Sequence, residues 1–167
     1  MKKIVSVLLS VLLFTSILSG CGGGNTKKVE GTTEEILQKI YDGLDSSVEL
    51  PFVMNTKLTN DMGISNDGIK IEYYLGVNTI HFTDGIASEA AIGGAYSVVL
   101  LRLDGKADVT KVKNDIQQNV DPNKWICYFA DVVIVDNIGD LVILIMTNDQ
   151  TSPGLGKAIH DSFKKLA

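Results

Sequence analysis

The sequence predicts an α+β domain, in which a mixed or antiparallel sheet of about four strands is covered by three main helices. Two observations support this fold class. Apolar residues recur every three or four positions in three segments, as they do along one face of a helix. Shorter segments carry consecutive or alternating apolar residues between turn formers, which is typical of strands.

The first helix is predicted over residues 33–45. Thr32 and Glu35 have the spacing of a capping box, and apolar residues follow at positions 36, 40 and 44. Turn-forming residues then dominate residues 46–68. Within that stretch the apolar spacing indicates a short helical turn, formed by Met54, Leu58, Met62 and Ile64.

Residues 69–95 support two readings at each of two places. Residues 69–73 alternate as a half-buried strand does, but Tyr73, Tyr74 and Leu75 also fit a helix. Residues 85–95 are rich in Gly, Ala and Ser, which let backbones approach closely. We expect a tight connection or a short helix there, and a loop that approaches a ligand is the alternative.

The second half of the chain gives clearer signals. Residues 95–103 are predicted as a strand, residues 107–120 as a helix that Asp121-Pro122 closes, and the segment from about 153 to 166 as the last helix. Residues 132–135 and 141–146 are predicted as a hairpin around a turn at 136–140. Because residues 141–146 contain no polar side chain, we expect this strand to be covered on both faces and to be the central one.

Composition excludes one class of partner. The chain of 167 residues carries 20 acidic and 15 basic side chains, a formal net charge of −5. An acidic surface repels phosphate backbones, so we expect no nucleic-acid partner.

The N-terminus has the layout of a secretory signal. Lys2 and Lys3 precede an apolar stretch over residues 4–17, and small residues lead to Cys21. The stretch is shorter than the about 20 apolar residues that a spanning helix needs. We therefore predict a signal peptide over residues 1–20. An uncleaved signal anchor, or an ordinary signal peptide with an incidental cysteine, is the alternative.

The tetrad Leu18-Ser19-Gly20-Cys21 resembles the lipobox of bacterial lipoproteins. This resemblance implies that the Cys21 sulfur receives a diacylglyceryl group and that the chain is cut just before Cys21. Two acyl chains suffice for stable attachment, so we expect a protein anchored to the cell membrane and facing outside the cytoplasm. Residues 21–31 are glycine-rich and polar, and we predict a flexible tether spanning roughly 15–20 Å. A single domain over residues 32–167 follows.

A second resemblance concerns the domain itself. The run at residues 95–100 with Arg102, the segment Lys124-Trp125-Ile126-Cys127, and the hairpin from Gly139-Asp140 to Met146 carry it. Together they resemble an uncharacterised domain family found in lipoproteins of Gram-positive, Clostridia-like bacteria. The resemblance covers about the last 100 residues of the sequence. It implies a location outside the cytoplasm and a single domain. It implies no activity and no functional residue other than Cys21.

Two short motifs imitate catalytic ones. Residues 154–157 read Gly-Leu-Gly-Lys, but a P-loop needs a glycine where Thr151 stands and a hydroxyl where Ala158 stands. A looser anion site at that helix N-terminus is the alternative. Ser162 to Lys165 reads S-x-x-K without the accompanying motifs of penicillin-binding proteins, and we interpret it as coincidence.

No metal or cofactor site is predicted. The sequence contains two histidines, and we expect His81 to be exposed on a strand and His160 to be solvated beside Lys157 and Lys164. Asp136, Asn137 and Asp140 offer oxygens to Ca²⁺, but their spacing favours an ordinary turn. Cys127 lies in an apolar run, and we expect a buried, inert thiol.

These observations predict a non-enzymatic binding or interaction module for a protein or envelope component. The alternative is a small-molecule binding lipoprotein accessory to a transporter. A deep pocket with convergent polar groups favours the alternative. An exposed apolar patch or an open sheet edge favours the first function.

Overall fold

The computed structural model describes residues 28–60 and 69–167. These residues form a five-stranded antiparallel sheet of order β1-β2-β3-β5-β4 and four helices, which confirms the α+β fold. The strands are β1 (Val53–Lys57), β2 (Phe82–Ala90), β3 (Tyr96–Leu103), β4 (Val132–Ile138) and β5 (Leu141–Thr147). The helices are α1 (Thr33–Asp42), α2 (Ile71–Leu75), α3 (Val109–Asn119) and α4 (Leu155–Lys164).

Helices cover both faces of the sheet. Ile143 and Ile145 of β5 belong to the apolar cluster formed with α1 and α4, whereas Val142 and Leu144 belong to the cluster formed with α2 and α3. Every residue of β5 is buried, as the absence of polar side chains in its apolar run predicts. The middle place in the sheet belongs to β3, however, so the prediction that β5 is central is wrong by one strand.

The three predicted main helices correspond to α1, α3 and α4, each a few residues shorter than expected. The capping box at the start of α1 is formed. The Thr32 hydroxyl accepts from the Glu35 backbone N–H at 3.2 Å, and the Glu35 carboxylate accepts from the Thr32 N–H at 2.9 Å. Two otherwise unpaired donors are satisfied in this way.

The region between residues 46 and 95 differs from the prediction. Met54 lies in β1 and Leu58 directly follows it, so the expected helical turn is wrong there; Met62 and Ile64 lie outside the described residues. The Gly- and Ala-rich segment at residues 85–95 contains most of β2, and only residues 91–95 form the expected connection, between β2 and β3. Its small side chains allow close packing, because a Cβ on Gly85 would meet the Phe82 ring at 2.9 Å.

Within residues 69–75, the last five residues are helical and form α2. The alternation over residues 69–73 does not form a strand, and α2 takes its place. Gly76, with φ of 74°, ends α2 and donates its N–H to the Glu72 carbonyl. The helical alternative for residues 73–75 is therefore confirmed.

The two ends of the sheet lie about 25 Å apart, the length of the eight residues of β3. At one end, the Arg102 guanidinium donates to the Val29 carbonyl at 2.7 Å and to the Gly31 carbonyl at 3.0 Å. We call this the Arg102 end. Val29 is buried, so the described part of the predicted tether of residues 21–31 already contacts the domain at Val29. Among the described residues, no helix is long and apolar enough to cross a membrane.

Candidate interaction surface

Large apolar side chains are exposed at the end of the sheet opposite Arg102. Seven large hydrophobic residues in the described ranges are exposed, and Ile126 (102%), Ile92 (78%) and Phe52 (75%) are the most exposed of them. Six of the seven lie at or beside this end, and Ile69 is the exception. We call these six residues the apolar end: Phe52, Met54, Ile92, Ile126, Tyr128 and Phe129.

Three segments join to make this surface continuous. The β2–β3 turn meets the start of β1, because the Ala91 N–H donates to the Phe52 carbonyl at 2.8 Å. The same turn lies against the loop at residues 121–131, since a Cβ on Gly93 would be 2.9 Å from the Tyr128 hydroxyl. A groove of about 450 Å³ runs between the turn and the loop, and Trp125 and Ile126 line it.

Lys124 fastens the loop to the sheet. Its ammonium pairs with the Glu89 carboxylate of β2 and donates to the Ser97 hydroxyl of β3 at 3.2 Å. It also lies 4.4 Å from the centre of the Tyr73 ring and 5.1 Å from that of Trp125. The Lys124 side chain is 4% exposed. Burial lowers the pKa of Lys124, and the charge of Glu89 opposes this shift.

Tyr73 completes this arrangement. Its hydroxyl donates to the second Glu89 oxygen at 3.2 Å, so both oxygens of the carboxylate are occupied. Burial, followed by the charge of Glu89, raises the pKa of Tyr73 to about 12. The phenol therefore stays protonated and remains a hydrogen-bond donor at neutral pH.

Further hydrogen bonds hold the loop backbone. The Ala130 N–H donates to the Pro122 carbonyl at 2.8 Å, and the Asn148 side chain donates to the Phe129 carbonyl at 3.0 Å. Asn148 is buried and also caps the following turn. The exposed apolar side chains thus project from a backbone that is fixed in advance, which lowers the entropic cost of binding a partner.

The prediction that Cys127 is a buried thiol is wrong. Cys127 is exposed, and the apolar run around it forms a loop across the end of the sheet. The positions beside β3 are occupied by β2 and β5, so this run does not take one of the buried central places in the sheet. Its boundaries are the signal that could have indicated a loop, because Asp121-Pro122-Asn123 precedes it and Asp131 follows it.

The Ser97–Lys124 contact resembles a serine–lysine nucleophile pair in composition only. Ser97 is fully buried, and the lysine ammonium is neutralised by Glu89. A nucleophile must reach its substrate, and its base must be free to accept a proton. This pair meets neither condition, and its role is to position the loop.

Asp136 on β4, in the half of the sheet towards the Arg102 end, is the centre of a charged cluster. It accepts from His160 at 2.8 Å, from Lys164 at 3.1 Å and from Lys113 at 3.2 Å. Burial opposes ionisation, but hydrogen bonds led by that of His160 outweigh it and hold the pKa of Asp136 well below its usual range. His160 therefore contacts Asp136, and the prediction that it is merely solvated beside the lysines is wrong.

The same contacts bear on the calcium alternative at residues 136–140. Asp136 faces basic side chains, and Asp140 pairs with Arg102 at 3.0 Å. Gly139, with φ of 57°, makes the turn between β4 and β5. The described residues contain no group of three or more His, Cys, Asp or Glu that could hold a metal. His81 is exposed and precedes the first residue of β2.

The residues of the two segments that resemble catalytic motifs have packing roles. Gly156 sits where a Cβ would be 2.5 Å from the Thr147 hydroxyl, and Lys157 pairs with Asp161 on its own helix. The Gly154 N–H donates to Asp149 at 3.2 Å, so a carboxylate already lies at the N-terminus of α4. Ser162 is buried and donates to the Ile40 carbonyl at 2.7 Å, which joins α4 to α1.

A second concavity, of about 480 Å³, lies between residues 47–51 and residues 151–155. Glu49 is its one ionisable side chain. A single carboxylate without a base or nucleophile beside it offers no acid–base chemistry.

Comparisons with known proteins give no relative from which a function could be transferred. No family model, no curated protein and no solved structure matches this chain. The resemblances described for the lipobox and for the domain therefore remain predictions, and Cys21 lies outside the described residues.

Proposed function

We propose that this chain is a membrane-anchored, extracytoplasmic lipoprotein, attached through Cys21, that binds a protein or envelope component without catalysing a reaction. One observation carries the binding role: six exposed, large apolar side chains lie together at the end of the domain opposite the point where the chain joins it. Exposed apolar patches of this kind mark interaction sites on soluble domains.

The position of the apolar end fits an anchored protein. A lipid on Cys21 would hold the chain at the membrane, and in the described residues the segment that follows it contacts Arg102 through the Val29 and Gly31 carbonyls. The apolar end lies about 25 Å from that contact, at the other end of β3. A domain tethered in this way presents its apolar end to other envelope components.

The residue types and the rigidity of the surface also support binding. Aromatic residues and methionine are enriched in protein interfaces, and the apolar end contains Phe52, Met54, Tyr128 and Phe129. Lys124, Tyr73 and Asn148 fix the loop that carries Tyr128 and Phe129, as described above.

Photocross-linking in intact cells tests the binding role. Cys127 is exposed within the surface and can carry a thiol-reactive benzophenone without further substitution. We expect a discrete cross-linked product whose yield falls at least fivefold in Ile126→Ser. The matched control is Cys127→Ser with Lys106→Cys, which moves the same probe to an exposed turn at the Arg102 end. Equal cross-linking from both positions, or full yield in Ile126→Ser, would contradict the proposal.

Radiolabelled palmitate tests the anchor. Cys21→Ala removes the sulfur that would carry the lipid, so we expect an unlabelled precursor of higher mass that is not cut before residue 21. Label that still follows the variant would show that another group carries the lipid.

The alternative, a small-molecule binding lipoprotein accessory to a transporter, is favoured by the groove of about 450 Å³ with Tyr73, Trp125 and Tyr128 among its lining residues. Mass spectrometry of the purified protein, before and after denaturation, tests it. A stoichiometric small molecule that is retained in Ile126→Ser and released in Tyr73→Ala would favour this function.

A further inference from the structure

Building on the proposed function, we infer that the partner of the apolar end is a protein segment that presents apolar side chains flanked by lysine or arginine. Two features of the same surface point to this chemistry. The centre of the surface is apolar, and its rim is acidic.

The rim is defined by four segments that meet at the apolar end: residues 47–52, 90–95, 121–131 and 148–154. They contain four exposed carboxylates, Glu49, Asp121, Asp131 and Asp149. Their one basic residue is Lys124, which is buried and paired with Glu89. The rim of the apolar end therefore carries a surplus of negative charge.

Several carboxylates elsewhere in the described ranges have basic partners, although Asp104 and Asp108 accept from backbone N–H groups, as the rim carboxylates do. At or towards the Arg102 end, Asp140 pairs with Arg102, Asp84 with Lys57, and Asp136 with Lys113 and Lys164. On the rim, Asp121, Asp131 and Asp149 accept from backbone N–H groups instead. A backbone donor satisfies one oxygen but leaves the charge of the carboxylate intact, so these charges remain available to a partner.

Charge complementarity selects among partners. A basic rim on the partner would speed association and favour one orientation, while the apolar centres of both surfaces would supply the area removed from water. Anionic headgroups and anionic wall polymers would be repelled by the four rim carboxylates. The surface thus fits a basic, apolar protein segment better than a lipid surface.

Fluorescence of the lipoprotein in neutral phosphatidylcholine vesicles tests the inference. Trp125 is the only tryptophan of the chain and lines the groove, so its emission reports on this surface. The probes are two synthetic peptides without aromatic residues, identical in their leucine positions, one with four lysines and the other with four glutamates. We expect the lysine peptide to bind at least tenfold more tightly at low salt, and the difference to shrink at 0.5 M salt.

Matched variants locate the effect. Asp121→Asn with Asp131→Asn keeps the oxygens that accept the backbone N–H groups and removes two charges, so the preference should fall at least threefold. Glu30→Gln with Glu34→Gln, on exposed positions beside the Arg102 end, removes two charges away from the rim and should leave the preference unchanged. Ile126→Ser should weaken binding of both peptides.

The outcomes separate this inference from the proposed function. Equal binding of both peptides, or binding of neither, overturns the inference, while cross-linking from Cys127 would still support the binding role. A blue shift of Trp125 on transfer to anionic phosphatidylglycerol vesicles, without peptide, would identify a lipid surface as the occupant and overturn it too. Loss of the lysine preference in the rim variant alone supports it.

Discussion

The two ends of the sheet treat their charged and apolar groups in opposite ways. At the Arg102 end, acidic and basic side chains pair across strands, as Arg102 does with Asp140 and Lys57 with Asp84. The N-terminal part of the described residues packs there too, since Val29 is buried. At the apolar end, the rim carboxylates Asp121 and Asp131 bond to backbone donors, and side chains such as Ile126 and Phe52 face solvent.

This difference indicates how one sheet can serve both folding and recognition. Burying a large apolar side chain contributes about 1.5–3 kcal/mol, a gain that the apolar end leaves unused within the chain. The Arg102 end uses its groups internally, because Arg102 alone makes bonds to Asp140, Val29 and Gly31. Stability is concentrated at one end and in the core, and contact area is left for a partner at the other.

The largest effect should come from breaking the sheet that both ends share. Leu144 is 1% exposed and lies in β5 against the cluster of α3. Leu144→Asp would bury an unpaired carboxylate at a cost of more than about 4 kcal/mol. We expect loss of cooperative thermal unfolding, measured by circular dichroism, with both ends disrupted together.

Ile92→Asp is the matched control for Leu144→Asp. It makes the same chemical change at the apolar end, where Ile92 is 78% exposed. We expect its stability to stay within about 0.5 kcal/mol of the wild type. A cooperative melt of Leu144→Asp near the wild-type midpoint would show that the fold of the two ends does not depend on the burial of β5.

The next effect should separate the ends. Lys124→Met leaves Glu89 partly buried without its cation, and we expect a loss of about 3 kcal/mol together with a red shift of Trp125 emission. The double variant Lys124→Met with Glu89→Gln should recover part of that loss. Hydrogen exchange should rise in residues 121–131 and stay unchanged around Arg102. An equal rise of hydrogen exchange in both regions would mean that Lys124 stabilises the whole domain and not the loop in particular.

Local signals predicted much of this fold. The Thr32–Glu35 capping box, the periodicity of α3 and α4, and the hairpin of β4 and β5 depend on residues close in sequence. The lack of polar residues at positions 141–146 of β5 also indicated burial on both faces. For such elements the pattern and the final environment carry the same information.

The other features of the fold and of the site depend on contacts between residues far apart in the sequence, which a local pattern does not indicate. β1 and β2 are strands because of their neighbours, and residues such as Gly85 look like loop residues until the Phe82 ring occupies the space beside them. The apolar end was missed for the opposite reason: residues 125–129 have core composition but form an exposed loop outside the sheet. The Lys124–Glu89 contact joins residues 35 apart, so spacing gave no indication of it.

A smaller effect should come from the Arg102 end. Arg102→Gln removes charge-assisted bonds to Asp140 and to the Val29 and Gly31 carbonyls, and we expect a loss of about 2 kcal/mol. Hydrogen exchange at residues 29–33 should increase, while Trp125 emission stays unchanged. Lys111→Gln, in an exposed pair with Asp115 on α3, is the control and should change stability by less than about 0.5 kcal/mol. An altered Trp125 emission in Arg102→Gln would show that the two ends of the sheet are coupled.

The smallest effect should depend on pH. The pKa of Asp136 is lowered in the folded state, chiefly because hydrogen bonds from His160, Asn137, Lys164 and Lys113 outweigh burial. A lowered carboxyl pKa stabilises the fold above the unfolded value of about 3.9, and this contribution is lost as pH falls below it. Asp136→Asn should therefore cost about 1 kcal/mol at pH 5.5 and progressively less from pH 4 to pH 2.5, measured by urea unfolding.

Asp115→Asn removes a partly exposed carboxylate that pairs with Lys111, and it controls for the loss of one negative charge. We expect it to change stability at pH 5.5 by less than about 0.5 kcal/mol. If Asp136→Asn were equally mild there, or if its cost stayed constant down to pH 2.5, the basic side chains around Asp136 would not be holding its charge. In that case Asp136 would no longer be the clearest example of a paired carboxylate to set against the unpaired ones on the acidic rim. The lysine preference expected of the apolar end would then have to come from its apolar side chains alone.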